Sequence, residues 1–152
     1  MRVLLSVCIL LSLMLFSNCN KSDESNFGYC LDCPFETWIG LYEGSGTYFI
    51  TNSGETIENV NVQMTITNPY TQNLEIKINS ESYIEDVFLT LKDNTYHYIT
   101  INTGARSLDL NLYQNGTAYK INGTLKRNRY NSVDQVWDVE KSLTFSIMKL
   151  AQ

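Results

Sequence analysis

Leu108-Asp109-Leu110-Asn111-Leu112, then Gln114-Asn115-Gly116, then Tyr119-Lys120-Ile121-Asn122-Gly123-Thr124-Leu125: apolar and polar residues alternate with period two on both sides of an Asn-Gly pair. A strand sends successive side chains to opposite faces, and Asn-Gly accepts the positive φ of a tight turn. The stretch therefore reads as two antiparallel strands, each with one apolar face. The same period continues outward. Leu143, Phe145 and Ile147 mark a strand near the C-terminus, and Ile99 and Ile101 mark one before the turn Asn102-Thr103-Gly104. Val87, Leu89 and Leu91 give another, closed by Lys92-Asp93-Asn94, and Leu74, Ile76 and Ile78 one more. Val60, Val62, Met64 and Ile66 share a face up to Asn68-Pro69, where proline stops the ladder. The first strand is expected from Trp38 to Thr51, with Trp38, Gly40, Tyr42, Gly44, Gly46 and Tyr48 on one parity before Asn52-Ser53-Gly54.

No stretch between these strands carries a helical period of ten residues. The class is all-β, and eight strands joined by short turns suit an antiparallel up-and-down meander, since parallel crossovers need longer connections. Closing the meander into an eight-stranded barrel over residues 37–152 removes its two unpaired edges. Glycines 40, 44 and 46 allow the coiling that closure demands. A two-sheet sandwich stays open as the alternative. At 152 residues, with 43% hydrophobic and 18% charged, the chain has the length and apolar content of one folded domain. A net charge of −5 with 11 Lys plus Arg spread along the chain argues against a nucleic-acid partner.

The N-terminus carries an address. Arg2 precedes an apolar run from Val3 to Phe16, too short to span a bilayer and placed as a signal peptide is placed. Leu15-Phe16-Ser17-Asn18-Cys19 resembles the cleavage site of bacterial lipoproteins, which implies a signal peptide over residues 1–18 and lipid on Cys19. Lys21-Ser22-Asp23-Glu24 resembles the export signal of Bacteroidetes lipoproteins, which implies an outer-membrane protein facing the cell exterior and held by its lipid. Residues 19–36 are expected as a flexible tether.

Cys8 falls in the signal segment, leaving Cys30 and Cys33 for chemistry. Redox catalysis would need a helix after the Cys-x-x-Cys motif, and Pro34-Phe35-Glu36 leads into a strand pattern. Zinc needs about four ligands, and His97 is the one histidine of the chain. A local Cys30–Cys33 disulfide is the reading that remains.

For catalysis the residues offer little. His97 lies between Tyr96 and Tyr98 on a strand pattern, and Glu85-Asp86 are adjacent, so their carboxyls point to opposite faces. Neither a Gly-x-Ser-x-Gly elbow nor a phosphate loop is present. The Asn-Gly-Thr sequons at Asn115 and Asn122 read as turn and strand residues. The expectation is a non-enzymatic protein with no catalytic residue, metal or cofactor.

The β domain resembles lipocalin-like barrels in its early Trp, its Gly-rich first strand and its meander over Trp38 to Gln152. That resemblance implies a carrier for a small apolar ligand, with Trp38 on the barrel floor. Those barrels also bring a late Arg across the Trp, where this chain offers Lys141 and Lys149 after Arg129. By parity, Trp38, Tyr42 and Met64 are expected to line one end of the interior and bind the ligand. The second reading is a surface display module binding a glycan or protein through exposed aromatic loops, Tyr70-Thr71-Gln72 and Arg127-Asn128-Arg129-Tyr130. An internal pocket of roughly 300 Å³ or more favours the carrier and a filled core favours display. The Leu, Ile and Val inner positions suggest filling; the glycines beside Trp38 and Tyr42 suggest space.

Overall fold

A computed structural model describes residues 26–69, 73–80, 83–90 and 97–151, with only the backbone of 83–90. The expected signal peptide, Cys19, Lys21 to Glu24, the loop Tyr70-Thr71-Gln72 and the turn Lys92-Asp93-Asn94 lie outside the described residues. The strands are β1 (Gly28–Tyr29), β2 (Gly40–Ile50), β3 (Glu55–Thr67), β4 (Asn73–Ser80), β5 (Tyr83–Thr90), β6 (Tyr98–Asn102), β7 (Arg106–Asn115), β8 (Ala118–Asn131) and β9 (Val136–Lys149). All pair antiparallel in one sheet, so the two-sheet sandwich is not formed.

The ladder runs β7-β8-β9-β2-β3-β4-β5, and both β6 and β1 pair with β7. Chain neighbours thus pair as hairpins, and β9 returns to β2 with Ile147 opposite Gly44 and Leu143 opposite Tyr48. The expected barrel is not closed: among the described residues no ladder joins β5 to β6. Strand β6 has five residues against ten in β7, and β1 takes the rest of that edge by pairing Tyr29 with Tyr113.

The inner face follows the alternation. Val60, Val62, Met64 and Ile66 of β3, Leu74, Ile76 and Ile78 of β4, Leu108, Leu110 and Leu112 of β7, and Leu143, Phe145 and Ile147 of β9 are all buried. Gly44 and Gly123 serve close approach rather than space. A Cβ at Gly44 would overlap the Ser146 carbonyl oxygen and come within 2.9 Å of Ile147 Cα; at Gly123 it would strike the Phe145 ring and Leu110. A Cβ at Gly46 would likewise meet the Thr144 carbonyl oxygen and the Phe145 and Leu143 side chains, so Gly44 and Gly46 leave no room, which corrects the expectation of space beside Trp38 and Tyr42.

One end of this face is covered by the segment before β2. Cys30 and Cys33 are joined by a disulfide, their Cα atoms 5.5 Å apart, and both are buried with Phe35 and Trp38. The Cys30 amide donates to the Leu112 carbonyl. Residues 28–36, expected as the end of the tether, therefore belong to the packed domain. Their buried side chains are interspersed with Asp32, Pro34 and Glu36, which hides them in the sequence. Trp38 is not on the first strand as expected. It ends a 3-10 turn, Phe35–Trp38, and Gly40 begins β2.

The Tyr42 hydroxyl ties the turn to β2 by donating to the Trp38 carbonyl at 2.9 Å. Lys149 reaches the same place from the end of β9. Its ammonium donates to the Thr37 carbonyl at 2.8 Å and lies 5.9 and 5.4 Å from the ring centres of Tyr42 and Tyr119. Burial lowers the Lys149 pKa. For Tyr42, burial first and the neighbouring Tyr119 second push the phenol well above its ordinary value. The unfolded chain ionises this tyrosine near pH 10 while the folded chain keeps it protonated. Above that pH the unfolded state binds fewer protons, and the contribution of Tyr42 is lost as pH rises towards its folded value. Tyr42→Phe should cost about 1 kcal/mol at neutral pH and flatten the alkaline loss of stability, read by urea denaturation at pH 8 and at pH 11. Parallel pH profiles for the two proteins would refute this assignment.

Candidate functional site

Trp38, Tyr42 and Met64 lie together at the covered end: Tyr42 bonds to Trp38, and Met64 stands directly opposite Tyr42 on β3. Each is 0% exposed. These side chains form core rather than the lining of either concavity described below.

The larger concavity, 480 Å³ and open to solvent, lies on the other face of the sheet, over β7, β8, β9 and β2. The ladder registers place its side chains in two cross-strand rows. Asp109, Thr124, Thr144 and Thr47 are consecutive partners in one; Asn111, Asn122, Ser146 and Ser45 form the other. Adjacent strands are about 4.8 Å apart, so each row is roughly 14 Å long, and the two rows lie about 7 Å from each other. Asn59, left-handed at φ 58 beside the irregular pairing of Gly46 and Tyr48, completes the rim. Asp109 is the only titratable side chain in the lining. The Oδ1 of Asn122 is buried and has no hydrogen-bond partner.

A third row, Tyr113, Lys120, Met148 and Glu43, borders the groove. Here the outer face becomes aromatic. The Tyr113 ring stacks on Tyr29 at 4.6 Å between centres, His97 meets Tyr29 edge-on at 6.4 Å, and Tyr98 meets His97 at 5.1 Å. The Lys120 ammonium sits 4.9 Å from the Phe27 ring centre and 5.6 Å from that of Tyr113. Tyr29 is 55% exposed. A hydrogen bond with Tyr29, then burial and the Tyr29 charge, raise the Tyr113 pKa, while a bond from Asn122 acts the other way. That Asn122 bond joins the aromatic wall to the polar rows.

The second concavity, 310 Å³, lies where β8 and β9 extend past the turn after β2, and is lined by Asn52, Arg129, Asn131, Asp138 and their neighbours. Arg127 to Tyr130, expected as a loop, is part of strand β8. Tyr130 faces Trp137 at 5.2 Å, and the Trp137 indole rests on Gly104, whose φ of +77 suits glycine. At this recess the Asn131 amide donates to Asp134 at 2.8 Å and to Asp138 at 3.2 Å.

The alternation signals that Asp109, Asn111, Asn122, Thr124, Thr144 and Ser146 face away from the core. It is silent on which of them stand side by side, because that depends on register between distant strands. Among the described residues no group of three or more His, Cys, Asp or Glu side chains converges as a metal site, and no helix is long and apolar enough to cross a membrane. No protein-family model, curated protein or solved structure matches the chain.

Proposed function

We propose that this chain is a lipid-anchored, surface-exposed, non-enzymatic display module that recognises its partner on the outer face of the sheet. One observation carries the reading: the described inner face is packed with buried side chains, while the outer face holds a 480 Å³ groove lined largely by amide and hydroxyl residues beside an exposed aromatic wall. An apolar guest inside would have to displace well-packed core side chains, and even small volume changes in a close-packed core are costly. The groove asks for no such rearrangement. One carboxylate without a histidine, cysteine or second acid in the lining offers hydrogen bonds rather than paired acid and base. Anchoring rests on the apolar run before Cys19 and the acidic segment Lys21 to Glu24.

Two measurements test this function. Cys19→Ala should release the protein from membranes, and protease shaving of intact cells should cleave the wild type but spare a variant with Asp23 and Glu24 neutralised. Membrane retention of the Cys19 variant, or a wild type that resists shaving, refutes the address. In a Trp137→Phe background, palmitate, retinol and haemin should leave Trp38 emission unchanged. A saturable response that vanishes in a folded Trp38→Leu variant would move the ligand inside and overturn the outer-face reading.

A further inference from the structure

We infer that the outer groove takes a short carbohydrate chain, an inference that rests on the outer-face reading and assigns its ligand. The lining decides between ligand classes. Apart from Phe145 and two glycines, its residues carry amides and hydroxyls with a single carboxylate, Asp109, and no cation. A phosphate or sulfate group would meet Asp109 inside the groove, while the lysines of the flanking rows, Lys120 and Lys126, lie outside its lining. An apolar ligand would bury the Asn111 amide, the unpartnered Oδ1 of Asn122 and the Thr and Ser hydroxyls, at the cost attached to each unsatisfied polar group. A peptide added as a strand needs a free edge, yet β8, β9 and β2 have a neighbour on both sides, and β7 has β8 on one side with β6 and β1 on the other.

A polyol fits what is left. Each sugar hydroxyl both donates and accepts, as do the amide and hydroxyl side chains of Asn111, Asn122, Thr124 and Ser146, and Asp109 can accept from two hydroxyls at once. The rows, roughly 14 Å long, suit several rings in succession rather than a single small molecule. Next to them stands the Tyr29–Tyr113 stack, with Tyr29 more than half exposed. An aromatic face packs against the apolar C–H face of a sugar ring whose hydroxyls point sideways to polar partners. The two surfaces supply the two halves of that recognition within one continuous patch.

The test is calorimetric titration of the full chain, solubilised from membranes, with maltohexaose, cellohexaose, xylohexaose, chitohexaose and mannohexaose. At least one should bind saturably. Ser146→Trp, which fills the groove from an exposed position, should weaken binding by about tenfold or more, and Tyr29→Ala and Thr124→Val by several-fold, with the melting temperature of each variant near that of the wild type. Thr124→Val keeps the side chain's shape, so its loss of binding reports the hydroxyl. Absence of binding by all five up to about 10 mM, or binding that Ser146→Trp leaves intact, overturns the assignment. Silence here together with unchanged Trp38 emission in apolar probes discards the carbohydrate and keeps the outer-face reading. A Trp38 response to those probes discards both.

Discussion

Trp38→Ala should destabilise the domain by about 3–5 kcal/mol, the usual cost of truncating a fully buried large aromatic. Trp38 is 0% exposed where the 3-10 turn meets β2, beside the disulfide segment and beneath the Tyr42 bond to its own carbonyl. Since typical domains are stable by only about 5–15 kcal/mol, this one side chain holds a large part of the total. Truncation would leave a void under the segment that covers the sheet, and nothing outside can collapse into it without breaking the Tyr42 and Lys149 contacts. Trp137, 48% exposed on the β8–β9 extension, is the internal comparison. Its replacement by alanine should cost about 1 kcal/mol, mostly the contact with Tyr130. Urea denaturation followed by circular dichroism reads both, and equal losses would contradict the assignment of Trp38 to the core.

Gly44→Ala should cost at least about 1–3 kcal/mol, because the new methyl would meet backbone rather than a movable side chain. The obstacles are the Ser146 carbonyl oxygen and Ile147 Cα, atoms of the strand to which β2 is paired. Separating them means giving up part of the β2–β9 ladder. Gly123→Ala is a contrasting case, since its methyl would meet the Phe145 ring and the Leu110 methyl at 2.7 Å. Phe145→Leu should therefore rescue part of the Gly123→Ala loss, with a coupling of about 0.5–3 kcal/mol in the double-mutant cycle. The same Phe145→Leu change should not rescue Gly44→Ala. Neutral behaviour of Gly44→Ala, or additive behaviour of Gly123 and Phe145, would refute the close approach of β9 to these glycines.

The misplaced Trp38 shows how a local pattern can mislead about local geometry. Trp38, Gly40 and Tyr42 follow one another at period two, so they read as one strand face, yet Trp38 belongs to a turn. Burial is the same in both geometries because a strand and the turn leading into it can both direct a side chain beneath the sheet. Cys30, Cys33 and Phe35 are not legible as core for the opposite reason. They have no long alternation, and their burial depends on β1 pairing with the distant Tyr113 and Gln114.

The candidate site has the same limitation. Each of its side chains could be assigned to an outward position by parity alone, and the Asn115-Gly116 turn even sets the register of β7 against β8. No turn joins β9 to β2, whose contact spans nearly the whole domain, so the alignment of Ser146 with Ser45 and Thr144 with Thr47 had to come from long-range packing.

From its residues alone the chain determined the all-β class, the antiparallel meander and the inner face, since alternation and turn chemistry are properties of consecutive residues. Tertiary structure alone decided that the covering segment begins at β1, that no ladder joins β5 to β6 among the described residues, and that two polar rows meet an aromatic wall. Those outcomes depend on which residues, far apart in the chain, compete for the same strand edge and the same buried volume. No local pattern encodes the result of that competition.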